Sequence, residues 1–141
     1  MGERQALNQS SISKDPAVVI VTAEPQLFVS DMERAIGFYS GKLGFALTLK
    51  YGDPTFYAQV ARDGARINLR LAARQPFDRA FVELEGDVLC ATLTVQGIES
   101  LFLEYNLAAV EFHQELRPEA WGSRTFIVRD PDSNLIAFAG Q

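Results

Sequence analysis

Apolar residues in this chain change their spacing several times, and each change marks an element. Over residues 18–29 β-branched and apolar side chains dominate, interrupted by Pro25, which predicts a strand with an irregularity or edge character. Ser30-Asp31-Met32-Glu33 has the spacing of a capping box. Met32, Ile36, Tyr39 and Leu43 then recur at helical intervals until Gly44 stops them. Residues 45–51, 56–62 and 65–71 read as three strands, broken by Gly52-Asp53-Pro54 and by the tight-turn pair Asp63-Gly64. A loop over 74–78 and a short strand over 80–84 follow. The order then repeats: a strand over 89–95, a helical stripe of Ile98, Leu101, Phe102 and Tyr105, and strands over 110–116, 124–129 and 134–139.

The repetition extends to single residues. Val29 falls on Val95, Met32 on Ile98, Glu33 on Glu99 and Tyr39 on Tyr105, an offset of 66. The last strands align Asp63 with Asp132 and Leu69 with Phe138, an offset of 69. The extra residues lie between the second helix and the last hairpin, in the stretch that holds the only tryptophan, Trp121, expected on an exposed loop at a cleft mouth. So long a period fits a duplicated module and not a solenoid. The predicted fold is α+β: two tandem βαβββ modules whose paired curved sheets form a cleft. Residues 1–16 read as a disordered tail, 17–73 as the first module, 74–88 as a linker and 89–141 as the second module.

Charge and composition narrow the function classes. The net charge of −5 is uneven, with nine acids against two arginines between Asp78 and Glu119. No basic stripe exists to displace phosphate counterions, so nucleic acid is not an expected partner. The acidic half would favour a cationic small molecule. The apolar runs are strand-length, too short to span a bilayer, and residues 1–16 lack the apolar core of a secretory signal. One cysteine, Cys90, gives no internal disulfide and is compatible with a cytoplasmic location.

The run Val29-Ser30-Asp31, Phe38-Tyr39, Leu43-Gly44-Phe45, followed by Arg129-Asp130-Pro131-Asp132-Ser133-Asn134, resembles the vicinal oxygen chelate superfamily. That group includes glyoxalase I, extradiol dioxygenases, fosfomycin-resistance transferases and bleomycin-resistance proteins. Residues 18–139 carry the resemblance. Trp121-Gly122 followed by Phe126-Ile127-Val128-Arg129-Asp130-Pro131 looks most like the bleomycin-resistance branch.

The resemblance implies where a metal would sit, with one His, Glu or Gln from each of four strands. Those positions fall on Glu24, Asn68, Cys90 and Ala137. Glu24 can bind a divalent ion, Asn68 only as a neutral oxygen, and Ala137 offers nothing. One carboxylate without an imidazole holds such an ion weakly, so no metal and no other cofactor is expected, with Glu24 the one weak candidate. No catalytic residue is assigned. His113, the sole histidine, reads as a surface or hydrogen-bonded structural residue, and Cys90 as a small buried one.

Binding chemistry remains. Strand parity puts Glu24, Gln26 and Phe28 on one face of the first module, with Arg66, Asn68 and Arg70. Cys90, Thr92 and Thr94 share a face in the second, as do Leu135, Ala137 and Ala139. Two inward guanidiniums are costly in a dry interface, which favours a ligand cavity over simple packing. The ligand-binding candidates are Trp121, Phe56, Phe28, Gln26, Asn68, Arg66 and Arg70. The resemblance implies a non-catalytic protein that sequesters a bleomycin-like drug, with its planar bithiazole and cationic tail, in grooves at a homodimer interface. The strand around residues 18–21 could cross to the neighbouring subunit. Two other readings stand: a metal-dependent lyase or dioxygenase using Glu24, and a binder of an unrelated small metabolite.

Overall fold

The computed structural model describes residues 17–74 and 76–141, so the tail expected over 1–16 lies outside the described residues. The first unit contains strand β1 (Gln26–Val29), helix α1 (Met32–Ile36, continued over Gly37–Lys42), and strands β2 (Ala46–Tyr51), β3 (Tyr57–Arg62) and β4 (Ala65–Leu71). A short helix α2 (Arg79–Glu85) leads to the second unit. That unit comprises β5 (Leu89–Val95), α3 (Ile98–Leu107), β6 (Phe112–Pro118), β7 (Arg124–Arg129) and β8 (Leu135–Gly140). Each unit forms a four-stranded sheet in the same order, β1-β4-β3-β2 and β5-β8-β7-β6. The first strand of each unit runs parallel to the last, and the remaining pairs are antiparallel. The duplicated α+β plan is therefore present.

Alternation along the strands decides which face each helix covers. Leu27, Val29, Ala58, Val60, Ile67 and Leu69 point to one side of the first sheet, where Met32, Ala35, Ile36 and Tyr39 of α1 bury them. The second helix does the same with Ile98 and Tyr105 over Phe126, Val128, Ile136 and Phe138. These two layers merge into one continuous core. Among the described residues, no helix or strand covers the opposite face of the first sheet.

Four local readings are corrected. Only Gln26–Val29 of the predicted 18–29 strand pairs, because β4 is the sole neighbour and its register begins at Gln26. Val18, Val19, Ile20 and Val21 are instead 68%, 73%, 91% and 84% exposed. The strand expected over 80–84 is helix α2. Asp78 caps it through the Ala80 N–H, and no strand lies beside it to pair. Helix α1 is capped by Asp31, whose carboxylate accepts from the Arg34 N–H at 3.1 Å, and not by Ser30. Its second half widens to π-type turns, with the Leu43 N–H donating to the Phe38 carbonyl at 3.1 Å. The wider turn lets the adjacent Phe38 and Tyr39 both point inward, their rings edge-on at 5.1 Å.

The two units are joined by a buried polar network centred on Asp130. One of its oxygens accepts from the Asp132 and Asn134 N–H groups, each at 2.8 Å. The other accepts from the Tyr39 hydroxyl and the Asn134 side-chain amide, also at 2.8 Å. Burial first, then the Asp130 charge, raises the Tyr39 phenol well above its ordinary range, so it remains a donor. Asn134 passes the link to the Phe28 carbonyl at 3.0 Å, and Ser30 donates to Asp132 through its N–H and its hydroxyl. On the opposite side, the Tyr105 hydroxyl donates to the Leu43 carbonyl at 2.8 Å. Arg62 binds both the Leu43 carbonyl and Glu104 there. Gly44, at φ 77, is needed at this crossing, because a Cβ would fall 2.7 Å from the Arg62 guanidinium.

Removing the Asp130 carboxylate strands four donors inside the protein. Asp130→Ala is expected to cost about 3 kcal/mol or more of unfolding free energy, and Tyr39→Phe about 1–2 kcal/mol. Urea denaturation with an unchanged slope would read both. An Asp130→Ala loss below about 0.5 kcal/mol, the size of an ordinary surface change, would remove the network from this role.

Candidate functional site

The uncovered face of the first sheet is built in cross-strand rows. Register sets Gln26, Asn68 and Gln59 side by side, and in the next row Phe28, Arg70, Tyr57 and Tyr51. All five sheet residues among the sequence candidates (Gln26, Phe28, Arg66, Asn68 and Arg70) therefore share this face. Phe56 lies beside it on the β2–β3 loop, its ring edge-on to Tyr51 at 5.6 Å. Trp121 does not join them. It stands 76% exposed on the β6–β7 turn, where Glu119 and Ser123 close the loop by a 2.8 Å backbone bond.

At the centre of the face, Glu24 gathers three donors. Gln59 and Asn68 donate side-chain amide N–H groups to one carboxylate oxygen at 3.1 and 3.3 Å, and Arg66 approaches the other at 3.4 Å. Gln59 also donates to the Asn68 carbonyl oxygen at 2.9 Å. The sequence reading missed Gln59. Its place was derivable, since a two-residue turn at Asp63-Gly64 pairs Arg62 with Ala65 and hence Gln59 with Asn68.

The second sheet contributes little polar chemistry at the matching positions. Ile127, Leu135 and Ala137 form a small separate buried cluster. Cys90 is half-buried, its Sγ 3.3 Å from the Asn134 side-chain oxygen, and burial raises its thiol pKa. His113 is held on both ring nitrogens, by Asp87 at 2.7 Å and by the Arg129 guanidinium at 2.8 Å. Because arginine only donates, that contact makes Nδ1 the acceptor and leaves Nε2–H to face Asp87. A histidine so engaged has no free nitrogen for a general base.

The residues do not fit a divalent metal. The Glu24 oxygens already accept from two amides and a guanidinium, Ala137 has no donor group, and burial raises the pKa of the Cys90 thiol, a soft ligand with no partner ligand beside it. Among the described residues no three His, Cys, Asp or Glu side chains gather as a metal cluster.

A cleft of about 700 Å³ lies along the outer edge of β5, which pairs only with β8. Ala23, Pro25, Arg66, Thr92, Thr94 and Tyr105 are among the residues lining it. Its origin is broken internal symmetry. In one half of the molecule the Asp130–Asn134 turn fills the space between α1 and β1. At the offset of 69, Ala61 and Ala65 replace Asp130 and Asn134. Beside the shorter Asp63-Gly64 turn only Arg62 meets α3, at Glu104, no carboxylate or amide takes the place of Asp130 and Asn134 toward β5, and a gap remains.

Comparison with known proteins agrees with this fold. The family model described as the Glyoxalase/Bleomycin resistance protein/Dioxygenase superfamily matches residues 19–138. A bleomycin resistance protein of Geobacillus stearothermophilus is 30% identical over 128 residues, covering 83% of this chain and 94% of that protein. A bleomycin resistance protein of Staphylococcus aureus gives the same values. The bleomycin-binding protein of Streptomyces verticillus, solved with copper(II)-bleomycin, superposes with a TM-score of 0.65 at 25% identity. That alignment covers 88% of this chain and 98% of that one. A superfamily protein from Alicyclobacillus acidocaldarius has a TM-score of 0.67 at 21% identity, covering 90% and 93% of the two chains, and shares the fold.

The raised Cys90 pKa has a direct readout. Alkylation by iodoacetamide at neutral pH is expected to run several-fold slower than for a free cysteine, because less thiolate is present. It should reach the free rate only after unfolding. A native rate equal to that of free cysteine would contradict the assigned environment.

Proposed function

The chain belongs to the Glyoxalase/Bleomycin resistance protein/Dioxygenase superfamily, and from that premise we propose that it is a non-catalytic binder that sequesters a flat-ringed drug of the bleomycin type. The observation that carries this reading is the state of Glu24. The one carboxylate in a metal-ligand position is neutralised by Arg66 and two amides, which makes it part of a hydrogen-bonded floor and not a ligand in waiting. The same face offers Phe28 and Tyr57 as ring surfaces and Gln26 and Asn68 as hydrogen-bonding groups. The acidic second module supplies the charge that a cationic drug tail requires.

The proposed working unit is a homodimer. Two features support it. The apolar residues 18–21 are exposed, and the outer edge of β5 has no paired strand among the described residues. Bare edges and bare apolar strands invite pairing between chains. Exchange of the first strand would cover both and would bring the uncovered face of one copy toward the second sheet of the other. In that arrangement Trp121 closes the groove mouth, and its ring stacks on the drug.

Calorimetric titration with metal-free bleomycin is the test. Saturable binding at micromolar concentration or tighter is expected, with Trp121→Ala weakening it by about tenfold, the scale of one stacking contact. No binding heat would sink the sequestering role, and an unchanged affinity would remove Trp121 from the site. Deletion of residues 1–21 is expected to convert the dimer to monomer in sedimentation velocity. A full-length chain that sediments as a monomer would overturn the exchange.

A further inference from the structure

The two arginines on the uncovered face of the first sheet are in different electrostatic states. Arg66 is paired with Glu24 at 3.4 Å. Arg70, four residues on and on the same side of β4, is exposed and makes no hydrogen bond or ion pair among the described residues. Glu24 is the only carboxylate among Glu24, Gln26, Phe28, Tyr57, Gln59, Arg66, Asn68 and Arg70, and it is already committed to Arg66. The face therefore keeps one uncompensated positive charge. Register places that charge between Phe28 on β1 and Tyr57 on β3, with Tyr51 next in the row. Phe28 is 43% exposed despite its size, so its ring is available to a ligand.

We propose that Arg70, flanked by Phe28 and Tyr57, forms an acid-accepting subsite, so that the ligand held on this face joins a flat ring to a carboxylate or phosphate. A guanidinium presents a planar fork of N–H donors that matches the two oxygens of a carboxylate. Flanking rings supply apolar surface for the body of the ligand and lower the local dielectric around the ion pair. Arg66 serves less well than Arg70, because the adjacent Glu24 carboxylate offsets its charge. The assignment rests on the small-molecule-binding reading above and adds a charge preference that the acidic second module would not supply.

The test uses two probes of one shape, 2-naphthoate and its neutral amide 2-naphthamide, titrated calorimetrically into the native chain and into Arg70→Gln and Arg70→Lys. Native protein is expected to prefer the naphthoate by about tenfold, the increment of a charge-assisted hydrogen bond. Arg70→Gln should abolish the preference without changing the naphthamide affinity, and Arg70→Lys should keep part of it. Thermal unfolding of each variant checks that the fold is intact. Equal affinities for the two probes in native protein, or a preference that survives Arg70→Gln, would overturn the subsite. If bleomycin binds while neither naphthalene probe does, the subsite falls and the sequestering role stands. An Arg70-dependent naphthoate preference without any bleomycin binding would leave the subsite standing and the sequestering role refuted.

Discussion

A carboxylate buried between two modules is tolerable only when its oxygens are fully engaged, and Asp130 is the point on which this molecule turns. Desolvation alone pushes its pKa up. Hydrogen bonds from Asn134, Tyr39 and the turn backbone offset part of that rise. The geometry they demand is strict. The β7–β8 turn must curl around the carboxylate, α1 must present Tyr39, and Asn134 must reach the end of β1. Once these conditions are met, the relative position of the two units is set and both helices lie over one shared core. Sliding one unit past the other would strand a buried charge, a far larger penalty than losing apolar contact.

The duplicated half lacks this device, and the difference shapes the molecule. With Ala61 and Ala65 where the second unit has Asp130 and Asn134, the β3–β4 turn cannot bind the opposite helix in the same way. Tyr105, the counterpart of Tyr39, turns to the Leu43 carbonyl instead. The space vacated becomes the cleft along β5. One closed junction and one open junction therefore follow from four residues. The closed junction supplies rigidity, and the open one leaves an edge and a cavity for other molecules.

Much of the fold was legible because the hydrophobic pattern and the turns agreed. Strands β4, β5 and β7 fall on the predicted residues: Asp63-Gly64 marks the start of β4, the Asp130–Asn134 turn marks the end of β7, and apolar alternation marks β5. The misreadings have physical causes. Residues 18–25 carry a strand composition, but a strand needs a neighbour, and the described residues provide none there. Residues 80–84 look equally strand-like, yet the Asp78 cap and the lack of a pairing edge turn them into α2. Ser30 and Asp31 compete for one cap, and Ser30 is drawn away by Asp132, 102 positions along the chain, which no local pattern could reveal. Within the site, parity alone grouped Gln26, Phe28, Arg66, Asn68 and Arg70 on one face. Parity says nothing of which charge is paired, and that distinction separates Arg66 from Arg70.

The state of Glu24 decides what chemistry the uncovered face of the first sheet offers. A metal-binding face concentrates positive charge at one ion and needs several anionic or imidazole donors converging on it. Here one carboxylate remains, and Arg66, Gln59 and Asn68 take up the role of the cation by donating to it. Amides and a guanidinium are fixed to the sheet, so the resulting floor keeps its shape without a bound ion. Its charge has also moved. With Glu24 neutralised, the surplus sits at Arg70, one row away among the aromatic rings. The face presents the Phe28 and Tyr57 rings on either side of the exposed Arg70 guanidinium, next to the hydrogen-bonded floor at Glu24.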